Sequence, residues 1–95
     1  MKHFILAKFK PEIAKKKSLL APIRQLFSVA DQIPGVRGAA VYPCCVDRDN
    51  RYDVMIVLDM DPEALPLYDD SEMHHMWEET YGELLEKKAI FDCEM

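Results

Sequence analysis

The side chains best suited to chemistry are gathered between Leu67 and Leu85, which reads LYDDSEMHHMWEETYGELL. This stretch holds the only tryptophan, two adjacent histidines and two of the four tyrosines. An imidazole can take up or release a proton near neutral pH, and a phenol can donate one, so these types offer acid–base work. His74 is the sharpest candidate. Asp70 or Ser71 makes a good N-cap, so His74 falls in the first turn of a helix. There the positive end of the macrodipole favours a neutral ring that can accept a proton. The plain alternative is a helix start carrying a half-buried structural histidine.

Other reactive types carry less. His74 and His75 look like a metal pair, but consecutive helical residues diverge by about 100°, so they do not share one ion. Zinc-type C-x-x-C spacing is absent, and no structural metal or cofactor is expected. Cys44 and Cys45 are adjacent, and neighbours on a strand point to opposite faces, so one buried and one exposed thiol is the expectation. Three cysteines is an odd number. Without a charged-then-apolar opening segment, they read as reduced thiols in a cytoplasmic protein.

The elements that must position these residues follow from periodicity. Lys2–Lys10 reads as a strand, with His3, Ile5, Ala7 and Phe9 on one face and Phe4 and Leu6 on the other. Pro11 ends it. Leu19, Leu20, Ile23, Leu26, Phe27 and Ala30 recur at helical spacing, which predicts a helix from about Ser18 to Gln32 with Pro22 in its first turn. Ile33-Pro34-Gly35 stops that helix. Val36–Cys44 and Tyr52–Met60 read as strands around a polar loop. Asp61-Pro62 opens a short turn running to about Tyr68. After a break comes a helix to Leu85, with Met73, Met76, Trp77, Thr80, Tyr81 and Leu84 as its apolar stripe. Ala89–Cys93 is a last short strand.

This order, β-α-β-β-α-β, predicts one α+β domain over residues 1–95: a ferredoxin-like sheet with two helices on one face. Two helices cover one face only. The other is left with a broad apolar patch drawn from Ile5, Phe9, Val54 and Ile56 or their alternates, and soluble monomers rarely expose such a patch. A homodimer packed through the open sheet face, forming a dimeric α/β barrel, is the economical answer. The net charge of −5 argues against a nucleic-acid surface. No apolar run reaches membrane length.

Taken together, these segments resemble the stress-responsive A/B barrel (Dabb) family of dimeric α+β barrels, nearly end to end. KHFILAKFKPE is similar to the family's K-H-hydrophobic-F-K-F-K opening, and DQIPGV to its I-P-G turn. RYDVMIVLDM resembles its third strand, LYDDSEMHHMW its Y-x-x-H-P-x-H segment, and AIFDCE its last strand. The chain departs at the first histidine and the proline of that segment, where Ser71 and Glu72 stand. The family includes a plant polyketide cyclase, olivetolic acid cyclase, which closes a linear thioester by an aldol condensation. The resemblance puts the catalytic tyrosine and histidine on Tyr68 and His74, and a further pocket histidine on His3. It implies a base at His74, a proton donor at Tyr68 and an orienting group at His3, acting on a carbonyl or polyketide-like molecule without a cofactor. Two other functions fit the same architecture: a non-catalytic stress-related dimer holding a small apolar ligand, and a cofactor-free monooxygenase.

Overall fold

The structure, a computed structural model, describes residues 1–95. Its elements run β1 (Lys2–Phe9), α1 (Leu20–Phe27), β2 (Val36–Pro43), β3 (Val54–Met60), α2 (Leu65–Asp69), α3 (Glu72–Tyr81) and β4 (Leu85–Cys93). The strands form one sheet in the order β2-β3-β1-β4, with every pairing antiparallel. This is the expected ferredoxin-like arrangement, as an open sheet. It carries three helices where two were expected, because the turn before Tyr68 closes into α2.

Alternation decides the layering. Every second residue of β1 and β3 is buried: His3, Ile5, Ala7 and Phe9 on one strand, Val54, Ile56, Leu58 and Met60 on the other. These side chains meet Ile23 and Phe27 of α1, Tyr68 of α2, and Met73, Trp77 and Tyr81 of α3 in a single core. Trp77 is the anchor. Its ring stands edge-on to Phe27 at 5.6 Å and lies 5.4 Å from Tyr81. Met76 and Thr80, expected on the same stripe, are exposed, so the buried face of α3 is narrower than the sequence implies.

The opposite face of the sheet is lined by the alternates. Register places Phe4 beside Val57 and Phe91, Leu6 beside Met55 and Ala89, and Val57 beside Ala40. Ile56 and Val54 face the helices, so the uncovered apolar row is Phe4, Leu6, Met55, Val57 and Phe91. Phe91 is 64% exposed and Tyr42 52%.

Three boundaries differ from expectation by four or more residues. α1 ends at Phe27, and a separate turn of 3-10 helix covers Ala30–Gln32, because Ser28 turns its hydroxyl back onto the Gln25 carbonyl. α3 stops at Tyr81, followed by one 3-10 turn at Gly82–Leu84. β4 then starts at Leu85, not Ala89, since Leu85 already pairs with Phe9. Gly35 occupies the left-handed region (φ 84°), and a Cβ there would stand 2.8 Å from that of Ala64. The I-P-G turn therefore requires its glycine.

Candidate active site

The site is built where β1 begins and α2 gives way to α3. His3 is the first inward-facing residue of β1 and is 5% exposed. Its Nδ1 lies 2.5 Å from Asp92 Oδ1 on β4, because His3 and Asp92 are register partners. A carboxylate only accepts, so Nδ1 carries the proton of that bond. Tyr68, on α2, is 1% exposed, and its ring packs edge-on to His3 with centroids 5.4 Å apart. On its other side stands His74, centroid to centroid 4.8 Å. The three residues singled out in the sequence thus form one contiguous row, His3–Tyr68–His74.

Local hydrogen bonding fixes His74. Ser71 is the N-cap of α3, and its side chain accepts from the His74 amide at 3.1 Å. The same Oγ donates to the Tyr68 carbonyl at 2.6 Å. The His74 ring meets two acceptors: Nδ1 lies 2.9 Å from the Asp69 carbonyl and Nε2 3.2 Å from Glu78 Oε1. A neutral imidazole has one N–H and satisfies one of these acceptors at a time, whereas a ring protonated on both nitrogens satisfies both. Glu78 is 53% exposed and stands beside Nε2.

Tyr68 is the unusual member. Its Oη is buried and has no hydrogen-bond partner. Burial, with help from the nearby Asp69 and Glu78 charges, pushes the phenol well above its ordinary range, so it remains a proton donor at neutral pH. A buried hydroxyl without a partner is disfavoured unless something else bonds it.

Asp92 is the member that sequence reasoning missed. Asp92 lies in the expected last strand, but only the β1–β4 register brings it to His3, 89 positions away. Glu78 stands at i,i+4 from His74, the spacing that brings two side chains together on one helix face.

Other expected features lie elsewhere. Cys44 and Cys45 are both exposed, because β2 ends at Pro43 and the pair belongs to the loop, where strand alternation no longer applies. No three His, Cys, Asp or Glu side chains converge in a metal-holding cluster, and the His74 and His75 rings stand 6.4 Å apart. Two cavities, of about 550 and 610 Å³, sit at the Phe9 end of β1, and none of His3, Tyr68 and His74 lines either one. No helix is long and apolar enough to cross a membrane.

A family model described as the Stress Responsive A/B Barrel Domain matches residues 1–95. The chain belongs to the Dabb family. Comparison with curated proteins gives no match. Among solved structures, the Dabb chain is similar to a dimeric ferredoxin-like protein of unknown function from Bacteroides fragilis. That pair shares 15% identity and a TM-score of 0.82, covering 99% of this chain and 94% of the other. It is similar to a candidate antibiotic biosynthesis monooxygenase from Nitrosomonas europaea, with 11% identity, TM-score 0.72, and 99% and 98% covered. It is also similar to a hydroxynitrile lyase from Passiflora edulis, with 9% identity, TM-score 0.70, and 95% and 87% covered. At these identities the likeness is one of fold.

Proposed function

We propose that this Dabb protein is a homodimer, joined through the open sheet face, whose His3–Tyr68–His74 row performs cofactor-independent acid–base chemistry on a small carbonyl compound. The observation that carries this reading is the buried Tyr68 hydroxyl, which has no protein partner, on a ring that packs against both imidazoles. Such a donor suits an oxygen that gains charge only during reaction. His74 Nε2 removes a proton next to the carbonyl, Tyr68 Oη donates to the enolate oxygen, and Glu78 pairs with the imidazolium that forms. His3, held by Asp92, keeps the tyrosine ring in place. The dimeric relative from Bacteroides fragilis and the uncovered apolar row support the assembly.

The test is deuterium exchange. A panel of β-diketones and acetyl thioesters in D2O, followed by NMR, reports proton abstraction without requiring the natural substrate. The wild-type dimer should accelerate exchange for part of the panel. His74→Gln and Tyr68→Phe should each lower that rate about 100-fold or more, the range of one general acid or base. Equal rates for wild type and both variants would leave no acid–base role.

A non-catalytic dimer holding a small apolar ligand is the second reading. The cavity of about 550 Å³ at the far end of the sheet supports it, since its lining includes Phe9, Leu20, Ile23 and Val54 and none of the histidine–tyrosine row.

A further inference from the structure

The cavity of about 550 Å³ has a distinct chemistry. Its floor is Phe9, Leu20, Ile23 and Val54, all core or half-buried apolar residues. Its rim carries Lys16, Lys17, Arg48 and Arg51, against the carboxylates Asp47 and Asp53. Four cations facing two carboxylates leave a local positive excess in a chain whose net charge is −5. Asp53 is already engaged, since its carboxylate accepts from the Phe9 amide at 2.7 Å and lies 3.9 Å from Lys16 Nζ. Lys17, Arg48 and Arg51 make no ion pair with any carboxylate.

The wall is held in shape. Lys8 Nζ, from the neighbouring strand, donates to the carbonyls of Asp49 and Arg51 at 2.8 and 2.9 Å. The Cys44 amide donates to the Asp53 carbonyl, and the Asp53 amide to that of Ala7, closing the base of the loop. A preformed cleft of this size, apolar below and charged at the mouth, has the form of a small-ligand site.

From the apolar floor and the unpaired cations, we infer that this cavity binds an amphipathic carboxylate, with its hydrocarbon body on Phe9, Leu20, Ile23 and Val54 and its anionic head at Lys17 and Arg48. This names a ligand class for the second reading, at a site separate from the histidine–tyrosine row. Failure here leaves the deuterium-exchange result standing, and the converse holds too.

The test uses octanoate and octylammonium, which share a body and differ in charge, titrated below micelle formation into the intact protein and followed by amide NMR. Octanoate should bind saturably, with shifts centred on Leu20, Cys44 and Val54. Octylammonium should bind at least about tenfold more weakly. Lys17→Gln with Arg48→Gln, both at exposed positions, should weaken octanoate about fivefold, as expected for losing partly solvated charge contacts. Alkylation of Cys44 and Cys45 by uncharged iodoacetamide should slow when octanoate is present, since both thiols lie in the cavity wall. The inference is overturned by equal binding of the two amphiphiles, by shifts centred on Phe4 and Phe91 or on His3 and Tyr68, or by no saturable binding.

Discussion

Tyr68 and His74 are joined through a single hydroxyl. Ser71 Oγ donates to the Tyr68 carbonyl and accepts from the His74 amide, so one side chain ends α2 and starts α3. The two rings are brought to 4.8 Å as a consequence. By the resemblance drawn from the sequence, Ser71 takes the place of a histidine and Glu72 that of a proline. The cap that aims His74 is therefore made by a serine in this chain. Ser71→Ala should cost about 1 kcal/mol of stability, the usual loss for an N-cap. Ser71→Thr, which keeps the hydroxyl, should recover most of it. Denaturant midpoints measure both, and an alanine variant as stable as wild type would mean the cap contributes nothing.

Val57 is the residue at which the proposed dimer is most exposed to test. It stands in the middle of the open face, opposite Phe4 on one side and Ala40 on the other. In a face-to-face dimer Val57→Asp places an unpaired charge in the interface, which costs several kcal/mol. Wild type should sediment at twice the 11.0 kDa chain mass. Val57→Asp should sediment as a folded monomer, retaining its helical circular dichroism. A dimeric Val57→Asp protein would move the interface away from this face.

Trp77 is 2% exposed and touches both Phe27 and Tyr81. Trp77→Ala should cost about 3–5 kcal/mol, as for large aromatic truncations in a core. Met76→Ala, one residue earlier but 46% exposed, should cost much less. Urea unfolding of the pair reads the difference, and similar midpoints would mean that the inward face of α3 is assigned wrongly.

The order of elements was legible because periods of two and of about 3.6 are written into β1, β3 and α3. So was the sharing of one buried face by Met73, Trp77 and Tyr81, which needs only helical spacing. What resisted reading depends on register. His3 meets Asp92 because β1 pairs with β4 in one alignment of several that the sequence allows. A shift of one residue would put Asp92 on the other face. The extent of β4 was hidden for a related reason. Leu85, Glu86, Lys87 and Lys88 are indistinguishable from a charged helix end until Phe9 is seen to pair with Leu85. That His3 and His74 flank Tyr68 needed the packing of α2 on β1, which no local pattern encodes.

Function and stability oppose each other at Tyr68. Its Oη is buried without a partner, and an unsatisfied buried polar group is destabilising by about 1–3 kcal/mol. Tyr68→Phe removes only that oxygen and keeps the ring between the two imidazoles. The variant should therefore be more stable than wild type, by about 1 kcal/mol near neutral pH. The gain should grow in alkali. An unfolded tyrosine loses its proton near 10.0, whereas burial holds the folded phenol above that value. Above that pH the folded state binds more protons than the unfolded state, so wild-type stability falls as pH rises, by up to about 1.4 kcal/mol per pH unit. Below it, both states keep the proton and the slope vanishes. Lysines titrate in the same region, so the quantity to measure is the difference between wild type and Tyr68→Phe in urea midpoints from pH 7 to 11. A difference that widens in alkali, with deuterium exchange lost, marks Tyr68 as a donor kept at the expense of stability. A phenylalanine variant that is less stable at every pH would show that Oη has a partner in the folded protein, and the proton-donor role would lose its main support.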